Sequence, residues 1–230
     1  MDFTIVEYAQ WQEWLALGFF VICWMAYANY SERHDTDTDS LFNAANKMRM
    51  DWMREMLNRD NRSVDAMIIG NFTRSFTFFA STTIFVIAAL ASMIGYRDRV
   101  NAMLAEIPFA HISDELFWQM KVSLLVIIFV YAFFKFTWSL RQYNYVSIFI
   151  GAAPDYRERK DEHEAIAEKG TRLTMNAAKH FNNGLRAYYF GLAALAWIVH
   201  PYFFMLATAW VVHVTHRREF RSETMKILND

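Results

Sequence analysis

Apolar positions along this chain gather into four long runs, with the charges between them. The runs are Trp14–Tyr30, Phe76–Tyr96, Val122 to about Tyr145, and Ala187–Val212. A helix that spans the hydrocarbon core of a bilayer needs about 20 mostly apolar residues, so each run predicts one span. No run alternates polar and apolar with period two, and Met, Ala and Leu are abundant, which argues against strands. The expected fold class is all-α: a polytopic membrane helix bundle, one membrane domain over residues 1–230, with spans at 14–30, 76–96, 122–145 and 187–212.

The segments between the runs also carry a helical pattern. "DTDTDS" (Asp35–Ser40) is a polar turn able to cap a following helix. Leu41, Ala45, Met48, Trp52 and Met56 then recur at spacings of three and four, an apolar stripe that predicts an amphipathic helix over 40–58. Gly151 and Pro154 end the third helix, and a charge-rich, solvated helix is expected over 155–182. Asn182-Asn183-Gly184 predicts a break before the fourth run. His200-Pro201 interrupts that run in its middle. Proline removes a helix hydrogen bond and kinks the helix. The run is therefore either one long kinked span or a re-entrant pair. It is too short for two full spans of about 20 residues each, which favours the kink.

Charge adds an orientation. Residues 31–75 hold seven Lys and Arg, residues 141–186 hold eight, and 97–121 together with the N-terminal stretch hold three. By the positive-inside rule the N-terminus lies outside, and loops 31–75 and 146–186 are cytoplasmic helical segments. The tail fits poorly: Arg217, Arg218, Arg221 and Lys226 follow the fourth run, and four spans leave them outside. The start, "MDFTIVEYAQWQEW", has no Lys or Arg, so the first run reads as a retained span rather than a secretory signal. Net charge is -1, which gives no basic field for nucleic acid. A single cysteine, Cys23, makes no internal disulfide.

Three motifs resemble one family. "RMDWMREMLNRDNRSVDAMIIGNFTRSFTFFASTT", "FTWSLRQYNYVSIFIG" and "HFNNGLRAYYFGLAALAWIVHP" are similar to the domain of unknown function 599 family, multi-span membrane proteins of bacteria and plants. The resemblance runs from about Trp14 to Arg221. It implies a membrane topology and transfers no catalytic role.

The candidate chemistry is sparse. Lys135 lies well inside the third run, where a lone lysine costs about 2.5–3.5 kcal/mol. Its stem either snorkels to the inner headgroups beside Arg141, or its ammonium faces the bundle interior. Interior acceptors would be Ser81 and Thr82 of the second run and His200 of the fourth. No Asp or Glu falls inside a run to pair with it. Asn71, Arg74, Arg141, Asn144 and Arg186 fall near the inner face, either as ordinary anchors or as the mouth of an anion or headgroup site. Met48, Trp52 and Met56 form a possible partner surface. His213 and His216 are a weak metal candidate, since zinc needs three or four ligands; no metal or other cofactor is expected. HExxH, GxSxG and P-loop signatures are absent. The sequence thus favours a non-catalytic membrane subunit or scaffold. Its expected partners are membrane lipids and either copies of itself or a larger membrane complex. The alternative is a small channel or transporter for an anion or small solute, using a polar path near Lys135 and His200.

Overall fold

The computed structural model describes residues 3–34, 40–108, 110, 112–158 and 160–229, with side chains from Trp11 onward except at residues 160 and 229. The described residues contain helices and no strand. In chain order the helices are α1 (Phe3–His34), α2 (Leu41–Leu57), α3 (Ser63–Met93), α4 (Arg97–Leu104), α5 (Glu115–Ala152), α6 (His163–Val199), α7 (Pro201–Phe220) and α8 (Glu223–Asn229). Three stretches are long and apolar enough to cross a membrane: Trp11–His34, Ser63–Leu104 and Glu115–Ala152.

The chain packs as two compact units rather than one. The first comprises Met1–His34, Phe85–Tyr131 and Arg186–Arg218; the second comprises Asp35–Ile84, Ala132–Leu185 and Glu219–Asp230. Helices α3, α5 and α6, and α7 by its last two residues, contribute to both. Helix length accounts for this. A helix of 38 residues such as α5 is about 57 Å long, well past the roughly 30 Å hydrocarbon core, so one helix can supply residues to both units.

In the first unit Phe20 of α1 sits between α6 and α7. Its ring centroid is 5.8 Å from that of Phe190 and 4.9 Å from that of Phe204. In one straight helix residues 190 and 204 would lie about 21 Å apart. Trp197 also stacks on Phe204 at 4.9 Å. The fourth run is therefore not a kinked span: α7 turns back along α6. His200 makes the turn. Its N–H donates to Ala196 O, and its own carbonyl accepts from Phe204 N–H, both at 3.1 Å. Its ring Nδ1 accepts the Tyr202 N–H at 3.1 Å, which is N-cap geometry. Pro201 occupies the first position of α7, where a missing N–H is no loss.

In the second unit α2 lies antiparallel to α6. Thr171 donates to Met50 Sδ, and Arg54 donates to both oxygens of Glu164, which holds that carboxyl below its ordinary value. Ser40 caps α2 by accepting the Asn43 N–H at 3.0 Å, as the polar turn predicts. Met53, Met56 and Leu57 are the buried face; of the expected 41/45/48/52/56 stripe Met56 is buried, Leu41, Ala45 and Trp52 are half-buried and Met48 is exposed, so the packed stripe is rotated from that reading. Phe76, Tyr143, Val146 and Ala177 join them in one core, and α8 packs against α2.

The predicted break at Asn182-Asn183-Gly184 does not occur, and α6 runs through it. A Cβ on Gly184 would stand 2.5 Å from the Phe136 ring. The glycine is there for close helix approach, not for a turn.

Candidate functional site

Polar side chains inside the first unit converge at one place. Glu13 of α1 falls on the same helical face as Ala16, Phe20 and Tyr27, at spacings of three, four and seven, and that face is buried. Lys121 of α5 falls beside Trp118, Val122 and Leu125, which are buried too. Each charged residue is 1% exposed. Lys121 Nζ donates to Glu13 Oε1 at 2.9 Å and to Ser113 Oγ at 2.8 Å. The other carboxylate oxygen, Oε2, accepts the indole N–H of Trp197 from α6. The ammonium also lies 5.6 Å from the Trp197 ring, within cation–π reach. Nearby, the Trp118 indole donates to Ile94 O at 3.1 Å and Asn101 donates to Ser113 O at 3.0 Å, fixing the segment that carries Ser113.

A charge pair taken out of water is tolerated only with close geometry and further hydrogen bonds. Both conditions hold here. Charges inside membrane proteins likewise face the bundle and pair. The cluster ties α1, α5 and α6 at one level and keeps its heads enclosed. That makes it a lock between helices rather than a surface offered to a substrate.

The residues expected from sequence fall elsewhere. Lys135 is half-buried on α5 in the second unit, in the electrostatic range of His180. Trp138, one turn on, has its ring 6.2 Å from that of His180. His200 belongs to the first unit, where it caps α7. Ser81 is exposed and Thr82 half-buried; the neighbouring Thr83 hydroxyl donates to Phe79 O on its own helix. Asn71 and Arg74 are exposed and bonded to each other. Arg141 is exposed, resting 5.7 Å from the Trp138 ring and donating to Tyr145 Oη at 3.2 Å. Asn144 is exposed. Arg186 is buried and belongs to the first unit, whereas Arg74 and Arg141 belong to the second.

Of the expected partner surface, Met48 is 54% exposed, Trp52 donates its indole N–H to Asp65 at 2.7 Å, and Met56 is fully buried. His213 lies against Trp210 and His216 against Tyr30. Among the described residues no group of three or more His, Cys, Asp or Glu is placed to hold a metal.

Sequence reasoning missed Glu13, Ser113 and Lys121; it placed Trp197 in a helix–helix contact but did not find its carboxylate partner. It also missed Arg62, whose guanidinium donates to Ile150 O at 3.2 Å, Ala153 O at 2.8 Å and Pro154 O, closing the C-terminal end of α5. The family of proteins of unknown function DUF599 matches residues 15–224. This chain belongs to the DUF599 family. No curated protein and no solved structure matches it. Within the matched span of this DUF599 protein lie Lys121, Ser113, Trp197 and the His200 turn; Glu13 lies just ahead of it.

Proposed function

We propose that this DUF599 protein is an integral protein of the bacterial inner membrane that acts as a non-catalytic subunit or scaffold, associating with itself or with a larger membrane complex. The observation that carries this reading is the closed Glu13–Lys121–Trp197 lock. It supports an interior used to fix helices against one another rather than to pass or transform a solute.

The same reading sets a topology. With α7 folded back on α6, five helices (α1, α3, α5, α6 and α7) cross the membrane rather than four. Helix α7 has 20 residues, about 30 Å, enough for the hydrocarbon core. The N-terminus is then outside, loops 31–75 and 146–186 are inside, and the basic tail is inside as well. That removes the misfit of a basic tail outside. In support, Tyr30 at the end of α1 lies 5.8 Å from His216 near the end of α7, and both helices carry basic residues in their last turns.

Size and company in mild detergent test the function. A scaffold is recovered as an oligomer or with a companion membrane protein, and Lys135→Met leaves that assembly intact. Recovery as a lone monomer, together with solute flux in liposomes that Lys135→Met abolishes, would overturn the reading in favour of transport.

A further inference from the structure

Between α6 and α7 the first unit carries a groove of about 250 Å³, walled by Leu192, Trp210, Val211 and Val214 and closed at one end by Tyr189 and Arg218. Leu192 and Trp210 are exposed, so the groove opens outward. Its walls offer little polar chemistry: the Thr215 hydroxyl is spent on Val211 O of its own helix at 2.6 Å. Arg218 differs. It is exposed, its guanidinium stands 5.9 Å from the Tyr189 ring, and it makes a long 3.5 Å contact to Tyr189 Oη. A guanidinium has five N–H donors in a planar fork, so the Tyr189 contact leaves donors for a ligand.

We infer that this groove binds an anionic phospholipid, one acyl chain lying along Leu192, Val211 and Val214 and the phosphate resting on Arg218. Charge decides the class. An apolar trough ending in a cation complements a ligand with an apolar tail and an anionic head, and planar guanidinium matches phosphate in a bidentate manner. The volume lies below the roughly 300–1,000 Å³ of ordinary ligand pockets, which suits one chain rather than a bulky solute. Arg218 also lies in the last turn of α7, at the end of the unit where α1 carries Arg33 and His34 in its own last turn. Basic pockets between transmembrane helices on the cytoplasmic side are where anionic headgroups are held.

Native mass spectrometry of the full chain, released from mild detergent with dioleoyl phosphatidylglycerol or dioleoyl phosphatidylcholine, tests this. One phosphatidylglycerol should be retained at least tenfold over phosphatidylcholine. Arg218→Gln should abolish the preference, Arg218→Lys should keep part of it, and Val214→Trp, which fills the groove, should lose both lipids. Arg221→Gln, outside the groove, should change nothing. Retention by Arg218→Gln equal to wild type would overturn the inference. So would a Val214→Trp protein that keeps its lipid but falls from a dimer to a monomer, which would make the occupant a second copy of the chain.

Discussion

Tyr189 in α6 and Arg218 in α7 are 29 residues apart in sequence and 3.5 Å apart in space. That contact exists because the chain reverses at His200-Pro201 with no loop at all. Everything the turn needs is local: a capping ring nitrogen, a proline at the first helical position and an aromatic stack between Trp197 and Phe204.

The first prediction concerns the cap. His200→Asn keeps an acceptor for the Tyr202 N–H and should leave stability within error of wild type. His200→Ala loses it and should cost about 1 kcal/mol. Thermal unfolding in detergent, followed by helical circular dichroism, reads the difference.

The Glu13–Lys121 pair gives a second prediction. Removing one partner leaves a buried charge alone, so Glu13→Leu or Lys121→Met should each destabilise the fold by about 3–5 kcal/mol. The double variant Glu13→Leu with Lys121→Met strands no charge and should recover most of that loss. A double-mutant cycle from denaturant unfolding in micelles measures the coupling.

The apolar runs made the helices themselves legible. Runs of apolar residues marked α1, α3 and α5, and Gly151 and Pro154 marked the end of α5 to within a residue or two. The reversal was hidden because a tight turn between two apolar helices contains no polar loop; its proline reads equally as a kink. Glu13 was hidden because it sits one residue ahead of the first apolar run, and runs are delimited by composition. Helical phase would have found it, since Glu13, Ala16, Phe20 and Tyr27 share one buried face. Gly184 misled for a related reason: a glycine that lets two helices approach looks, in sequence, like one that ends a helix.

Arg62 holds the end of α5 by three carbonyl contacts. Hydrogen bonds to a charged group contribute about 1.5–3 kcal/mol, so Arg62→Ala should fray that end. Lysine lacks the planar fork and should restore little. Amide hydrogen exchange over residues 146–154 should rise in both variants while exchange in α1 stays unchanged.

Close approach at Gly184 is the fourth test. The Phe136 ring that a Cβ would meet is itself packed against Phe79 and Phe181, so it has little room to move. Gly184→Leu should cost roughly 1–3 kcal/mol or more through overpacking. Gly18→Ala meets nothing within 4 Å and should be neutral or slightly stabilising. Melting temperatures of the two variants in the same detergent make the comparison.

The most direct measurement is cysteine accessibility across the membrane. In a Cys23→Ser background, single cysteines are placed by Ala165→Cys, Tyr202→Cys and Ser222→Cys and treated with a membrane-impermeant maleimide. A hairpin of α6 and α7 predicts that Tyr202→Cys reacts in intact cells, whereas Ala165→Cys and Ser222→Cys react only in inverted vesicles. Labelling of Ser222→Cys from outside, with Ala165→Cys still protected, would contradict the hairpin and with it the five-helix topology.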